Sequence, residues 1–112
     1  MARRISLDLP PDVEIALAAF GTPARIAIID VLRTDEPATK AHIADVLGMD
    51  SKTTIYHLAK LADLCVVVSD PPPGPERSGQ HPRYSLDHRR VAELYEAMGR
   101  MLGGNPARAQ RP

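Results

Sequence analysis

The stretch TKAHIADVLGMDSKTTIYHLAKLADLCVV, from Thr39 to Val67, decides how this chain is read. It divides into two short helical patterns around Gly48 and ends in a strand-like run. Thr39 is an N-cap for a first helix whose apolar positions Ile43, Val46 and Leu47 follow the helical repeat, and Gly48 supplies the left-handed residue that stops it. Asp50 is placed to cap the second helix. There Thr54, Leu58, Leu61 and Cys65 recur at spacings of four, three and four, which sets them on one buried stripe and turns Ser51, Lys52, Tyr56 and Lys60 elsewhere. Two helices joined by a tight turn, the second opening with polar and basic groups, make a helix-turn-helix pattern. In such a motif the second helix lies in the major groove of DNA, and its early side chains meet base edges.

Upstream, PDVEIALAAF predicts a short helix beginning at the proline pair. GTPARIAIIDVLRT predicts another, with Thr22 as N-cap and Pro23 in the first helical position. Its residues Ile26, Ile29 and Leu32 share one face with Ile28 and Val31 beside them, so this helix is expected at the centre of the core. Thr34 to Pro37 is the connecting turn.

Downstream, CVVVSD has the β-branched composition of a strand and RYSLD that of a returning strand. PPPGPERSGQHP between them is too rich in proline and glycine for a helix or a sheet interior. Strand, loop and strand after a helix-turn-helix make a wing, which places Arg77, Gln80, His81 and Arg83 on or beside a projecting loop within reach of phosphate or the minor groove. Asp87 caps a last helix in which Val91, Leu94, Tyr95, Met98, Met101 and Leu102 form a broad apolar stripe, ended by Gly103 and Gly104. The methionines read as packing rather than as a ligand box.

With 112 residues the chain is long enough for one core and short for two domains. The expected organisation is an N-terminal arm or strand over 1–10, a folded unit over 11–103 including the terminal helix, and a disordered tail over 104–112. The formal net charge of 0 counts against non-specific affinity for nucleic acid. The charge is uneven, however: after Pro71 there are seven arginines and four acids, against seven bases and ten acids in residues 1–70. Affinity for DNA would come from local patches, doubled in a dimer.

The single cysteine excludes an intramolecular disulfide framework and favours a reducing compartment. No apolar run approaches the ~20 residues that span a bilayer, and MARRISLDLP lacks the apolar core of a signal peptide. The expected location is the cytoplasm. No Gly-rich phosphate loop, paired carboxylates or nucleophile motif is present, so an enzyme is not expected.

From about Phe20 to Met98 the chain resembles the ArsR-type winged-helix repressors. AAFGTPARIAIIDVL is similar to the family's opening helix pair, LGMDSKTTIYHLAKL to its helix-turn-helix and RYSLD to the end of its second wing strand, with Leu47, Gly48, Thr53, His57, Leu58 and Leu61 matching residue for residue. The resemblance implies a mainly α fold with a small two-stranded β wing. It also implies a homodimer joined through the first and last helices, binding double-stranded DNA at an operator. Base-reading positions carried over from it are Ser51, Lys52, Thr53, Ile55 and Tyr56. Three departures stand out: Ile55 where a small polar residue is usual, Cys65 where glycine commonly ends the helix, and a proline-rich wing loop. Ile55 then either touches a thymine methyl or belongs to the edge of the core.

Many relatives sense metals through cysteine pairs or clusters of histidine and carboxylate. Here the cysteine-rich motif is missing and Asp87 and His88 lack a second histidine a turn or more later, so neither metal nor other cofactor is expected. Cys65 reads as a small buried residue rather than a redox switch. His57 either contacts phosphate or packs within the motif, while His42, His81 and His88 read as solvated. Arg89 and Arg90 read as a solvated helix start in preference to backbone contacts.

Lys52, Lys60, Arg77 and Arg83 are assigned to phosphates, and Ser51, Thr53 and Tyr56 to bases. Two other readings stay open. RISLDLPPDV, with Ile5, Leu7 and Leu9 alternating, resembles the opening strand of a ribbon-helix-helix DNA binder, which would leave the helix-turn-helix and the wing unexplained. The neutral charge also suits a winged-helix module for protein contact without an operator of its own.

Overall fold

The computed structural model describes residues 8–74 and 81–103. The alternating stretch Ile5 to Leu7, the wing-loop residues Arg77 and Gln80, and the tail from Gly104 onward lie outside the described residues.

Five helices and three short strands follow in the order α1 (Pro11–Phe20), α2 (Pro23–Asp35), β1 (Ala38–Thr39), α3 (Lys40–Leu47), α4 (Ser51–Asp63), β2 (Val67–Asp70), β3 (Arg83–Leu86) and α5 (His88–Met101). Four of the helices start where a side chain takes an orphan backbone N–H: Thr22 that of Arg25, Thr39 that of His42, Asp50 that of Thr53 and Asp87 that of Arg90. The turn between α3 and α4 depends on Gly48, whose φ of 62° is the left-handed conformation that sequence spacing assigned to it. Its N–H bonds back to Asp45 and that of Met49 to Ala44, closing α3 before Asp50 opens α4. Between α1 and α2 the constraint is space: a Cβ on Gly21 would stand 2.2 Å from the carbonyl oxygen of Leu17.

The core joins all five of these helices to one face of the sheet, α1 contributing Ala16 and Ala19. Ile28, Leu32, Ile43, Leu58, Leu61 and Leu94 are completely enclosed, with Val66 and Val67 closing the sheet side. No buried side-chain polar atom among the described residues lacks a partner. Thr54, buried on α4, gives its hydroxyl hydrogen to the Asp50 carbonyl at 2.8 Å. No single described helix is long and apolar enough to cross a membrane; α1 and α2 pass that test only as a pair bent by 84°.

The two-stranded wing is present as β2 and β3 and gains a strand, and two other expectations need correction. The wing sheet has three strands, in the order β1-β3-β2 and antiparallel throughout, because Ala38 and Thr39 pair with Tyr84 and Arg83. On α2 the buried residues are Ile28, Val31 and Leu32, while Ile26 is half exposed, so the helix presents one apolar side outward. Cys65 is exposed and lies beyond the end of α4. The helix stops at Asp63, the N–H groups of Cys65 and Val66 bond back to Ala62 and Leu61, and Cys65 takes φ 63°. The stripe holds for Thr54, Leu58 and Leu61 and ends with the helix that generates it.

Candidate nucleic-acid interface

Because α4 buries Thr54, Leu58 and Leu61, helical spacing turns Lys52 and Tyr56 to the opposite side, with Ile55 and Ala59 on one flank and Lys60 on the other. Ser51, Lys52, Ile55, Tyr56 and Lys60 are all exposed. Thr53 is half-buried, and its backbone N–H is held by the Asp50 carboxylate at 2.7 Å. That bond from Thr53 holds the Asp50 carboxyl below its ordinary pKa, so the cap stays ionised and fixes the first turn of α4. Lys60 places its ammonium 5.7 Å from the centroid of the Tyr56 ring, within cation–π range. A side chain that would otherwise sweep freely is thereby held over its neighbour.

Behind this ridge sits Arg25, to which sequence reading assigned no role. It reaches from α2 to donate Nε–H to His57 Nδ1 at 3.2 Å and Nη1–H to the Ala18 carbonyl at 2.6 Å. His57 in turn meets the Tyr56 ring edge-on, with centroids 5.2 Å apart. To accept from Arg25 the imidazole must be neutral at Nδ1. Burial and then the Arg25 charge push its pKa below the ordinary histidine value. His57 therefore packs within the motif.

The wing approaches the same face. Arg83 is exposed on β3, opposite Thr39 of β1 and Asp70 of β2. A shallow groove separates α4 from the wing, lined by Ile55, Ala59 and Asp63 of α4, by Ser69, Pro73, Pro82 and Tyr84, and by Lys40. Ala59 and Lys40 were missed in the sequence. Ala59 lies four residues after Ile55 and was legible by spacing alone.

At the far end of the sheet Glu36 joins two elements. One carboxylate oxygen accepts the Leu86 N–H of β3 at 2.9 Å and the other meets His88 at the start of α5. His42 pairs likewise with Asp35 at 2.9 Å, and His42 and Thr34 hold the Asp35 carboxyl below its usual pKa. Arg90 is mostly covered and pairs with Glu93 and with Asp12 of α1, so it belongs to the α1–α5 contact. Arg89 stays exposed beside Glu93. Among the described residues no three histidine, cysteine or carboxylate side chains gather as a metal ion would require.

A second surface lies away from α4. Phe20, Ile26, Ile29, Val91, Ala92 and Tyr95 line a concavity that is almost wholly carbon. Tyr95 is 74% and Leu102 75% exposed, so about half of the apolar stripe of α5 faces outward.

A capped helix pair turned at Gly48, followed by a hairpin whose far strand also pairs upstream, is a winged helix-turn-helix fold. Among solved structures the chain is similar to NolR from Sinorhizobium fredii, with a TM-score of 0.58 and 25% identity, over 89% of this chain and 100% of that one. NolR is a winged helix-turn-helix transcriptional regulator, and the likeness supports the regulator fold of that kind here. No protein-family model matches the sequence, and no curated protein does.

Proposed function

We propose that this chain is a sequence-specific DNA-binding transcriptional regulator of the ArsR-like type, a homodimer that represses by occupying its operator. The observation that carries this reading is the exposed ridge of Lys52, Tyr56 and Lys60 on a helix whose other side is locked into the core. In this reading Lys52, Lys60, Arg77 and Arg83 neutralise phosphates and fix register, Gln80 assists from the wing, and Ser51, Thr53, Ile55 and Tyr56 face the bases. Residues 11–103 act as the folding unit, flanked by the arm and the tail, with no catalytic step and no cofactor. The site of action is the cytoplasm, beside the chromosome.

Dimerisation is supported by the carbon-lined concavity and the outward half of α5. It also answers the formal net charge of 0, since two ridges double the cationic contacts on one duplex. The same neutrality is the one point in favour of a protein-contact module; a polar, lysine-bearing ridge where such a module would present carbon weighs against it.

Selection of bound sequences from a random duplex library near physiological salt tests the proposal. The expected product is an inverted repeat with half-sites about one helical turn apart, bound by a protein that sediments as a dimer. Absence of any enriched sequence from a folded protein would refute it.

A further inference from the structure

The exposed side of α4 carries two parallel lines of side chains with opposite chemistry. Lys52, Tyr56 and Lys60 offer charge, a hydroxyl and an aromatic face. On the wing side the line runs Ser51, Ile55, Ala59 and Asp63, one helical turn between each, and between Ser51 and Asp63 its side chains have no donor or acceptor. Ile55, the one β-branched aliphatic of α4, is 43% exposed although the core beneath it is complete. Beside it the groove brings Ala59, Pro73 and Pro82 next to Ile55, with Ser69, Asp63 and Lys40 supplying its polar parts.

Early side chains of a recognition helix meet base edges. Of the groups that base pairs present in the major groove, the C5 methyl of thymine is the apolar one. We infer that Ile55, with Ala59 beside it, reads a thymine methyl at one position of each half-site, so that this line fixes a T·A pair by carbon contact while the Tyr56 line reads polar edges. The inference rests on the proposed role of α4 in DNA binding and specifies its chemistry. The group recognised is a pyrimidine C5 methyl, which 5-methylcytosine also carries.

The test uses the full chain and a duplex recovered by selection. Each thymine of a half-site is replaced singly by deoxyuridine, which deletes the methyl and keeps the base pair. The wild-type protein should lose about fourfold in affinity at one such position, the transfer value of one methyl group. Ile55→Ala should bind thymine and uracil equally there, and Ile55→Val should keep most of the difference. At that position a 5-methylcytosine·G pair should be bound about fourfold better than C·G by the wild type and no better by Ile55→Ala. Thermal melting checks that both variants are folded. Uniform indifference to uracil, or equal thymine preference in wild type and Ile55→Ala, overturns the assignment while leaving DNA binding intact. Failure to recover any bound duplex overturns the DNA-binding reading, and the assignment with it.

Discussion

Helices α4 and α5 are nearly the same length, 13 and 14 residues, yet they use their surfaces in opposite ways. α4 encloses the stripe of Thr54, Leu58 and Leu61 and turns charge, a phenol and the single Ile55 side chain outward. α5 encloses Leu94 and Ala97 and leaves Tyr95, Met101 and Leu102 in solvent. A stripe that the fold consumes completely holds a helix in place; a stripe that the fold consumes by half leaves carbon for another surface. The polar ridge is therefore mounted on the better-anchored helix.

The largest effect that separates the two uses is core truncation. Leu58→Ala in α4 and Leu94→Ala in α5 should each cost about 3 kcal/mol in urea denaturation, since both side chains are enclosed. Leu102→Ala should cost less than about 0.5 kcal/mol in dilute protein and weaken self-association in sedimentation. A loss at Leu102 as large as at Leu94 would mean the α5 stripe is already used within one chain, and the contrast would collapse.

Next in size are changes on the ridge. Tyr56→Ala should alter base preference, with about 1–3 kcal/mol of discrimination lost at one position. Lys60→Ala should weaken operator and random duplexes alike and lower the salt slope by about 1. Equal losses on both duplexes for both variants would sink the division between base reading and phosphate contact.

A smaller effect concerns the support behind Tyr56. The folded chain holds His57 neutral, with a pKa below its unfolded value. The unfolded state therefore takes up a proton first as pH falls. Stability from this group is complete above the unfolded histidine pKa of about 6.5 and declines as pH drops below it. Denaturation midpoints for wild type and His57→Gln, compared at several pH values, should diverge in that direction; parallel profiles would refute it.

Smallest is the end of α4. Cys65 occupies a left-handed conformation that costs an ordinary residue about 1–2 kcal/mol. Glycine forfeits about 0.5–1 kcal/mol in its unfolded freedom, so Cys65→Gly should stabilise the chain by about 0.5 kcal/mol in chemical denaturation. A destabilised variant would show that the exposed thiol makes a contact of its own.

What could be read in the sequence was local. Thr22, Thr39, Asp50, Asp87 and Gly48 act within four residues of themselves, so their chemistry predicted the helix boundaries. The wing strands were legible from the β-branched run before the proline-rich loop and the short RYSLD segment after it. Strand β1 was not, because two residues carry no periodicity. Arg25 and His57 are 32 residues apart, and Glu36 meets Leu86 and His88 across 50 and 52, distances at which a single sequence holds no signal of contact. Cys65 shows the opposite failure. It lies two residues past the end of α4, where helical periodicity no longer sets which side a residue faces.

Glu36 has a mechanical consequence. Its two oxygens tie the last strand of the wing and the first turn of α5 to the end of α2, so a single carboxylate pins three elements at one corner. Moving the wing root and α5 together away from the end of α2 must break both attachments. Only Asp87 separates β3 from α5 along the chain, so the sheet and the terminal helix travel as one lever, and Glu36 is the pin that fastens that lever to the end of α2.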